Sequence, residues 1–288
     1  MSETLLSEIV KAFGLPSRQW VKTILRPVFG QAIRRLAAYG LEYDRKVAQD
    51  GGPGRAASEL LSHLCHPVES RGIDALPAKG PALLVANHPG TYDALTIFSQ
   101  LPRPDVRFIS SRIPFLQGLP AASRNFIFIT IDSHQRMAGI RQALRHLDNG
   151  GMVVLFGSGH IDPDPYVYGT ESARNGLLDW WPGAEYLVQK TPGLALVLGI
   201  VSHVVLPRWA AHPITRLRRG AVNQRRLAEL GQLVEQLVLH RRVLLSPRVS
   251  FSGPFYRTDL LTAPGSGLMP AIQDKAISLL YTHQAFFP

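Results

Sequence analysis

The sequence predicts an α/β fold, a mostly parallel central sheet flanked by helices and preceded by a helical N-terminal region. Two patterns lead there. Beyond about residue 72, short apolar runs alternate with helical stretches, as expected where helices cross between parallel strands. Before residue 65, apolar residues recur at helical spacing instead. The organisation that follows is a helical region over residues 1–71 and a second domain over 72–288.

In the N-terminal part, Leu5, Ile9 and Phe13, then Trp20, Ile24, Val28, Ala32 and Leu36, fall on helical faces. Pro16 and Pro27 should interrupt them, and Gly51-Gly52-Pro53-Gly54 should break the region. Arg18, Lys22, Arg26, Arg34 and Arg35 beside Trp20 and Phe29 suit a helix lying in an anionic interface, or equally an amphipathic helix packed on the protein's own core. After the turn-rich Leu76–Pro81 come the strand candidates Ala82–Ala86, Val106–Ile109, Phe126–Ile131, Met152–Phe156, Leu194–Val201 and Arg248–Phe251. The helix candidates are Tyr92–Gln100, Met137–Leu147, Ala184–Lys190, Leu217–His240 and a last one over Leu268–Leu280. In open sheets of this kind ligands sit beyond the carboxyl ends of the strands.

Composition narrows the partners. The net charge is +10, and 25 of the 31 basic side chains are Arg, which favours phosphate and carboxylate. A single cysteine, Cys65, excludes an intrachain disulfide and a Cys-rich metal site. The opening residues lack the basic start and unbroken apolar core of a signal peptide. Thr191–Pro207, the longest uncharged stretch, is too short and too rich in Pro and Gly to span a bilayer, so membrane contact should be superficial.

The chemistry concentrates in Leu83-Leu84-Val85-Ala86-Asn87-His88-Pro89-Gly90-Thr91-Tyr92-Asp93. This reads as a buried strand, a Pro-Gly break and a helix start with Thr91 as N-cap. His88 then stands at a strand's carboxyl end, and Asp93 in the first helical turn, where the helix dipole favours a carboxylate. A short loop lets Asp93 bond one imidazole nitrogen and leaves the other to accept a proton.

Asn87-His88, four residues and Asp93 after a strand resemble the first motif of the glycerolipid acyltransferase family, which includes lysophosphatidic acid acyltransferases. The resemblance runs from about Gly72 to the C-terminus. Phe126-Ile127-Phe128-Ile129 with Asp132 and Arg136 stands where the family has its second motif, and Asn149–Phe156 resembles the run into the third. Pro192–Leu198 resembles the proline-bearing fourth. Two departures stand out: Ser158 replaces the third motif's usual glutamate, and Ser133 follows Asp132 where the family has arginine. Both motifs hold the acceptor's phosphate and glycerol part in the family, so the departures bear on the acceptor.

The resemblance implies transfer of an acyl chain from an acyl-CoA or acyl-ACP thioester to a hydroxyl of a lysophospholipid or glycerol phosphate. His88 would act as general base and Asp93 would orient it, with no bound cofactor and no metal. It also implies peripheral or monotopic attachment at the cytoplasmic face of an anionic membrane. The turn Gly157-Ser158-Gly159 offers amides to an oxyanion, with His160 beside it; Arg112, Arg136 and Arg141 are candidates for substrate phosphates.

Rival readings remain. Ser158 between glycines suggests a serine hydrolase or thioesterase, although Phe156 and His160 stand where a nucleophile elbow has its outer glycines. His160, Asp162 and Asp164, with His88, are ligand types for a metal hydrolase. Arg216, Arg218, Arg219, Arg225 and Arg226 suggest a binding module for anionic membrane or nucleic acid, without the interleaved aromatics that stacking on bases requires. A divergent, non-catalytic lipid-binding member completes the alternatives.

Overall fold

A computed structural model describes residues 19–130, 133–239, 245–261 and 267–288. The described residues form one seven-stranded sheet: β1 (Glu69–Arg71), β2 (Ala82–Ala86), β3 (Val106–Ser111), β4 (Phe126–Ile129), β5 (Met152–Phe156), β6 (Ala195–Ser202) and β7 (Arg248–Phe255). Their spatial order is β1-β7-β6-β2-β5-β3-β4. β6, β2, β5, β3 and β4 run parallel, while β7 pairs antiparallel with β6 and carries β1 parallel to itself. The predicted α/β class and mostly parallel sheet are observed.

The helices of eight or more residues are α1 (Gln19–Asp50), α2 (Pro53–Leu64), α3 (Asp93–Gln100), α4 (Ser133–Asp148), α5 (Thr170–Leu178), α6 (Gly183–Lys190), α7 (Ala221–Leu239) and α8 (Leu268–Phe286). The central strands are apolar throughout because both faces are covered. In β2, Ala82, Leu84 and Ala86 enter a core with residues of α1, α2 and α3, while Leu83 and Val85 enter the opposite core with α4, α5, α6 and α8. Period-two alternation thus sorts one strand between two layers.

Several boundaries differ from expectation. α1 runs through Pro27, since a proline removes one rung of a long ladder without abolishing its neighbours. The glycine break at 51–52 does separate α1 from α2. β1 and α5 were not anticipated: three residues carry no period, and α5 is polar on most of its surface. Thr91 is not the N-cap of α3, which Tyr92 begins without a side-chain cap, because the Thr91 hydroxyl is drawn elsewhere.

From Phe29 onward α1 packs on the molecule's own core. Phe29 and Ile33 meet Leu230 and Val234 of α7. Arg35 donates to the carbonyls of Leu237 and Val238 at the end of α7, where a cation suits the helix dipole. Arg18 and Asp132 lie outside the described residues. Among the described residues no helix is long and apolar enough to cross a membrane.

Candidate active site

The site forms where β2 and β5 end side by side. Beyond β2, Asn87 continues the ladder with its side chain: its Nδ2 donates to Val201 O at 2.9 Å and its Oδ1 accepts from Val201 N at 2.7 Å. The chain is thereby pinned to β6 as it leaves the sheet. His88 is fixed next, its N–H donating to Asp162 Oδ2 at 2.8 Å and its carbonyl accepting from Asp162 N at 2.7 Å. That reciprocal pair ties the loop after β2 to the loop after β5. The imidazole lies flat on Phe156, with centroids 4.1 Å apart and planes 10° from parallel.

Asp93 sits below. Its Oδ2 is 2.7 Å from His88 Nδ1 and accepts from Gly90 N at 3.0 Å. A carboxylate accepts, so it places the ring proton on Nδ1 and leaves Nε2 as a base. Asp93 is 1% exposed and the His88 side chain 27%, so the dyad has a buried end and an open end. Burial alone would lower the imidazole pKa, but Asp93, then Glu229 and Asp162, outweigh it and the value is raised. His88 is a stronger base than an ordinary histidine.

Around the dyad the glycine turn is partly committed. The Gly157 amide donates to Ala86 O at 2.9 Å and the Gly159 amide to Phe156 O at 3.3 Å, while the Ser158 amide has no partner among the described residues. Of the amides the turn offers to an oxyanion, that of Ser158 is the unpaired one among the described residues. A Cβ on Gly157 would come within 2.2 Å of the Trp180 ring, so this turn accepts no side chain. The Ser158 hydroxyl donates to His160 O at 3.0 Å and accepts from His160 N at 3.3 Å. Its proton goes to a carbonyl, and the titrating side chain it meets is the Asp162 carboxylate, so the nucleophilic-serine reading is without the imidazole it calls for.

The metal-hydrolase set is not assembled either. Asp164 spends both oxygens on the amides of Tyr166, His203, Val204 and Val205. Burial nonetheless raises its pKa to about 6. His160 Nδ1 lies 3.8 Å from Asp162 Oδ1, and neither atom has a hydrogen-bond partner among the described residues. Among the described residues the metal-capable trio that the geometry does bring together is Glu42, Glu59 and His63, far along the chain from this loop, where Lys46 already meets Glu59 at 2.8 Å.

Arg112 follows β3 directly, and Arg136 and Arg141 lie on α4 after β4. All three are exposed, and β5 stands between their strands and the β2 that carries His88.

A model of the acyltransferase family matches residues 67–208. Residues 67–208 belong to the acyltransferase family. The acyltransferase domain holds every strand except β7, together with His88, Asp93 and the turn after β5. Among solved structures, the 1-acyl-sn-glycerophosphate (LPA) acyltransferase PlsC from Thermotoga maritima is similar at 14% identity and a TM-score of 0.45, covering 98% of this chain and 95% of that one. A search of curated proteins gives no match.

The acyltransferase domain is completed from outside by α7, which lies within the helix candidate Leu217–His240 and carries Arg225 and Arg226 of the basic set. Arg225, Glu229, Gln232 and Gln236 fall on one face, at steps of four, three and four. Arg225 Nε donates to Ile161 O at 3.1 Å and its guanidinium lies over the Tyr168 ring. Glu229 accepts from Thr91, and Gln232 bridges Leu206 N at 2.6 Å and Val204 O at 3.0 Å. Gln236 meets Tyr92 Oη and Leu64 O. Arg225 therefore leaves the basic patch, whose exposed members are Arg216, Arg219 and Arg226. The spacing of these four polar residues was the signal available in the sequence.

Proposed function

We propose that the chain moves an acyl group from an acyl-CoA or acyl-ACP thioester to a hydroxyl of a lysophospholipid or glycerol phosphate. Membership of residues 67–208 in the acyltransferase family supports the reaction class. The observation that carries the mechanism is the His88–Asp93 pair, 2.7 Å apart, with its carboxylate end buried and its Nε2 end open. His88 Nε2 takes the proton from the acceptor hydroxyl as that oxygen attacks the thioester carbonyl. The resulting oxyanion is met by the Ser158 amide. As the tetrahedral intermediate collapses, the C–S bond breaks and the proton held by His88 passes to the departing thiolate. Asp93 stabilises the imidazolium between these steps. The donor and acceptor classes come from the motif resemblance.

The partner surface is an anionic membrane, engaged peripherally from the cytoplasmic side. Leu217 is 77% exposed between Arg216 and the Arg218-Arg219 pair, an apolar tip ringed by cations. Replacing Leu217 by Ser should reduce co-sedimentation with anionic vesicles several-fold. Equal binding by both proteins would remove the tip from the membrane contact.

The reaction is tested by thiol release from acyl-CoA donors with lysophosphatidic acid, glycerol 3-phosphate or a neutral lipid alcohol as acceptor. Acceptor-dependent release should fall by roughly 10²–10⁴-fold in His88→Ala. Release without any acceptor would make the protein a thioesterase. Equal inactivity of two folded proteins would leave a lipid-binding role.

A further inference from the structure

The turn between His88 and Asp93 is held from two sides. From within, Asp93 Oδ2 accepts from Gly90 N at 3.0 Å. From outside, Glu229 of α7 accepts from the Thr91 hydroxyl. The Glu229 carboxylate also lies against Gly90, 3.5 Å from where a Cβ would stand. α7 lies beyond the family-matched residues, yet its polar face touches the loops after β2, β5 and β6.

No Lys or Arg is paired with Glu229 among the described residues. Arg225, one turn earlier, is directed to Ile161 O and Tyr168. The charges and titrating groups facing Glu229 are His88, Asp93 and Tyr92 from the β2 loop and Tyr168 from the β5 side, with Arg225 on its own helix and Asp162 across His88. Such a half-buried, uncompensated carboxylate is costly unless a cation forms beside it. The one group here that gains positive charge during acyl transfer is the His88 imidazole.

We propose that Glu229 is a positioning residue for acyl transfer: through Thr91 it fixes the turn that aims His88, and with Asp93 it surrounds the imidazole with negative charge as the proton arrives. This rests on the reading of His88 as general base. Burial raises the Glu229 pKa to about 7, so its charge is developed most fully above neutral pH. Three variants separate its two roles. Glu229→Gln keeps an acceptor for Thr91 and removes the charge; Thr91→Val keeps the charge and the Thr91 backbone contact and removes the hydroxyl tether; Thr91→Ser keeps all three.

The first readout is the His88 titration followed by NMR in protein with isotopically labelled histidines, the signal being assigned by its loss in His88→Gln. In Glu229→Gln the His88 pKa moves down. In Thr91→Ser it stays at the wild-type value. This readout needs no turnover, so it tests the electrostatic role even if the proposed acyl transfer fails. The second readout is steady-state kinetics with acyl-CoA. Thr91→Val lowers kcat by roughly tenfold with donor KM unchanged, as expected for misaimed reacting groups, and Thr91→Ser restores it. In Glu229→Gln the acidic limb of the kcat–pH profile moves to lower pH while the plateau falls. Folded Glu229→Gln with an unmoved His88 titration, or folded Thr91→Val with wild-type kcat, would overturn the proposal.

Discussion

Asp93 acts on His88 both by geometry and by charge, and substitution distinguishes the two from simple packing. Asparagine preserves the volume and can still accept from Gly90 N, but it removes the charge that raises the His88 pKa. Asp93→Asn should therefore lower kcat by about 10²-fold or more with donor KM little changed. The direction of the pH effect follows from the same charge. A base must be neutral to accept a proton, so wild-type activity is lost as pH falls through the raised pKa of His88. In Asp93→Asn the remaining activity should persist to lower pH, as kcat–pH profiles of both proteins would show. An unmoved acidic limb would mean that another group controls it. At this scale the sequence was informative, because a histidine after an apolar run and an aspartate at a helix start each carry a local reason for being there. Asp162 and Glu229 carried no such local signal: their partners lie 74 and 138 residues away, and only the folded chain brings them to His88 and Thr91.

Among the elements, β2 is the part on which the site depends, and Asn87 is its fastening. Asn87→Ala would leave the N–H and C=O of Val201 unpaired in a buried place, each at a cost of roughly 1–3 kcal/mol. Chemical denaturation should show that loss of stability. The same variant should also lose kcat beyond what unfolding explains, because the residue after the fastening is His88. Stability equal to wild type would show that β6 holds the loop by other means. The strands were legible because buried parallel strands are unbroken apolar runs, and the ends of β2 and β5 were read to the residue. α7 was legible as a helix but not as part of the site. The arginine-rich run leading into it, Arg216 to Arg226, draws attention to the surface, and the face at 225, 229, 232 and 236 is polar, the reverse of the pattern that normally marks an inward side. A polar face can be buried here because it meets loops with unpaired backbone groups instead of a sheet.

Across the whole molecule, the net charge of +10 does not reveal the arrangement of the basic residues, which are divided between an outward patch and inward ties such as Arg35 and Arg225. A second polar system, unseen in the sequence, joins β6, β7 and α8. Ser250 Oγ meets His283 Nδ1, His283 Nε2 meets Ser202 Oγ, and Ser202 Oγ meets His203 Nδ1, each at 2.7 Å. With neutral rings, every hydroxyl and N–H can point the same way along this chain, so Ser250 donates, His283 and Ser202 each accept once and donate once, and His203 accepts. Burial, with repulsion from charged neighbours, lowers the pKa of His283 to about 3 and that of His203 to about 4. The unfolded chain protonates both near the ordinary value of 6.5, so below that pH it binds more protons than the folded chain. Stability from this pair is complete above 6.5 and declines with acid until the folded values are reached. Asp164 and Glu229 oppose it, since their raised pKa values make the folded state the better proton acceptor below about 6 and 7. The net slope is thus a balance, and a difference between two proteins isolates one contribution. His283→Gln removes one titrating group and keeps a side chain that can donate and accept. Between pH 6.5 and about 3, the stability of wild type should fall faster than that of the variant by up to about 1.4 kcal/mol per pH unit. Denaturant unfolding at a series of pH values measures that difference, and parallel curves would mean that His283 titrates alike in the folded and unfolded chain.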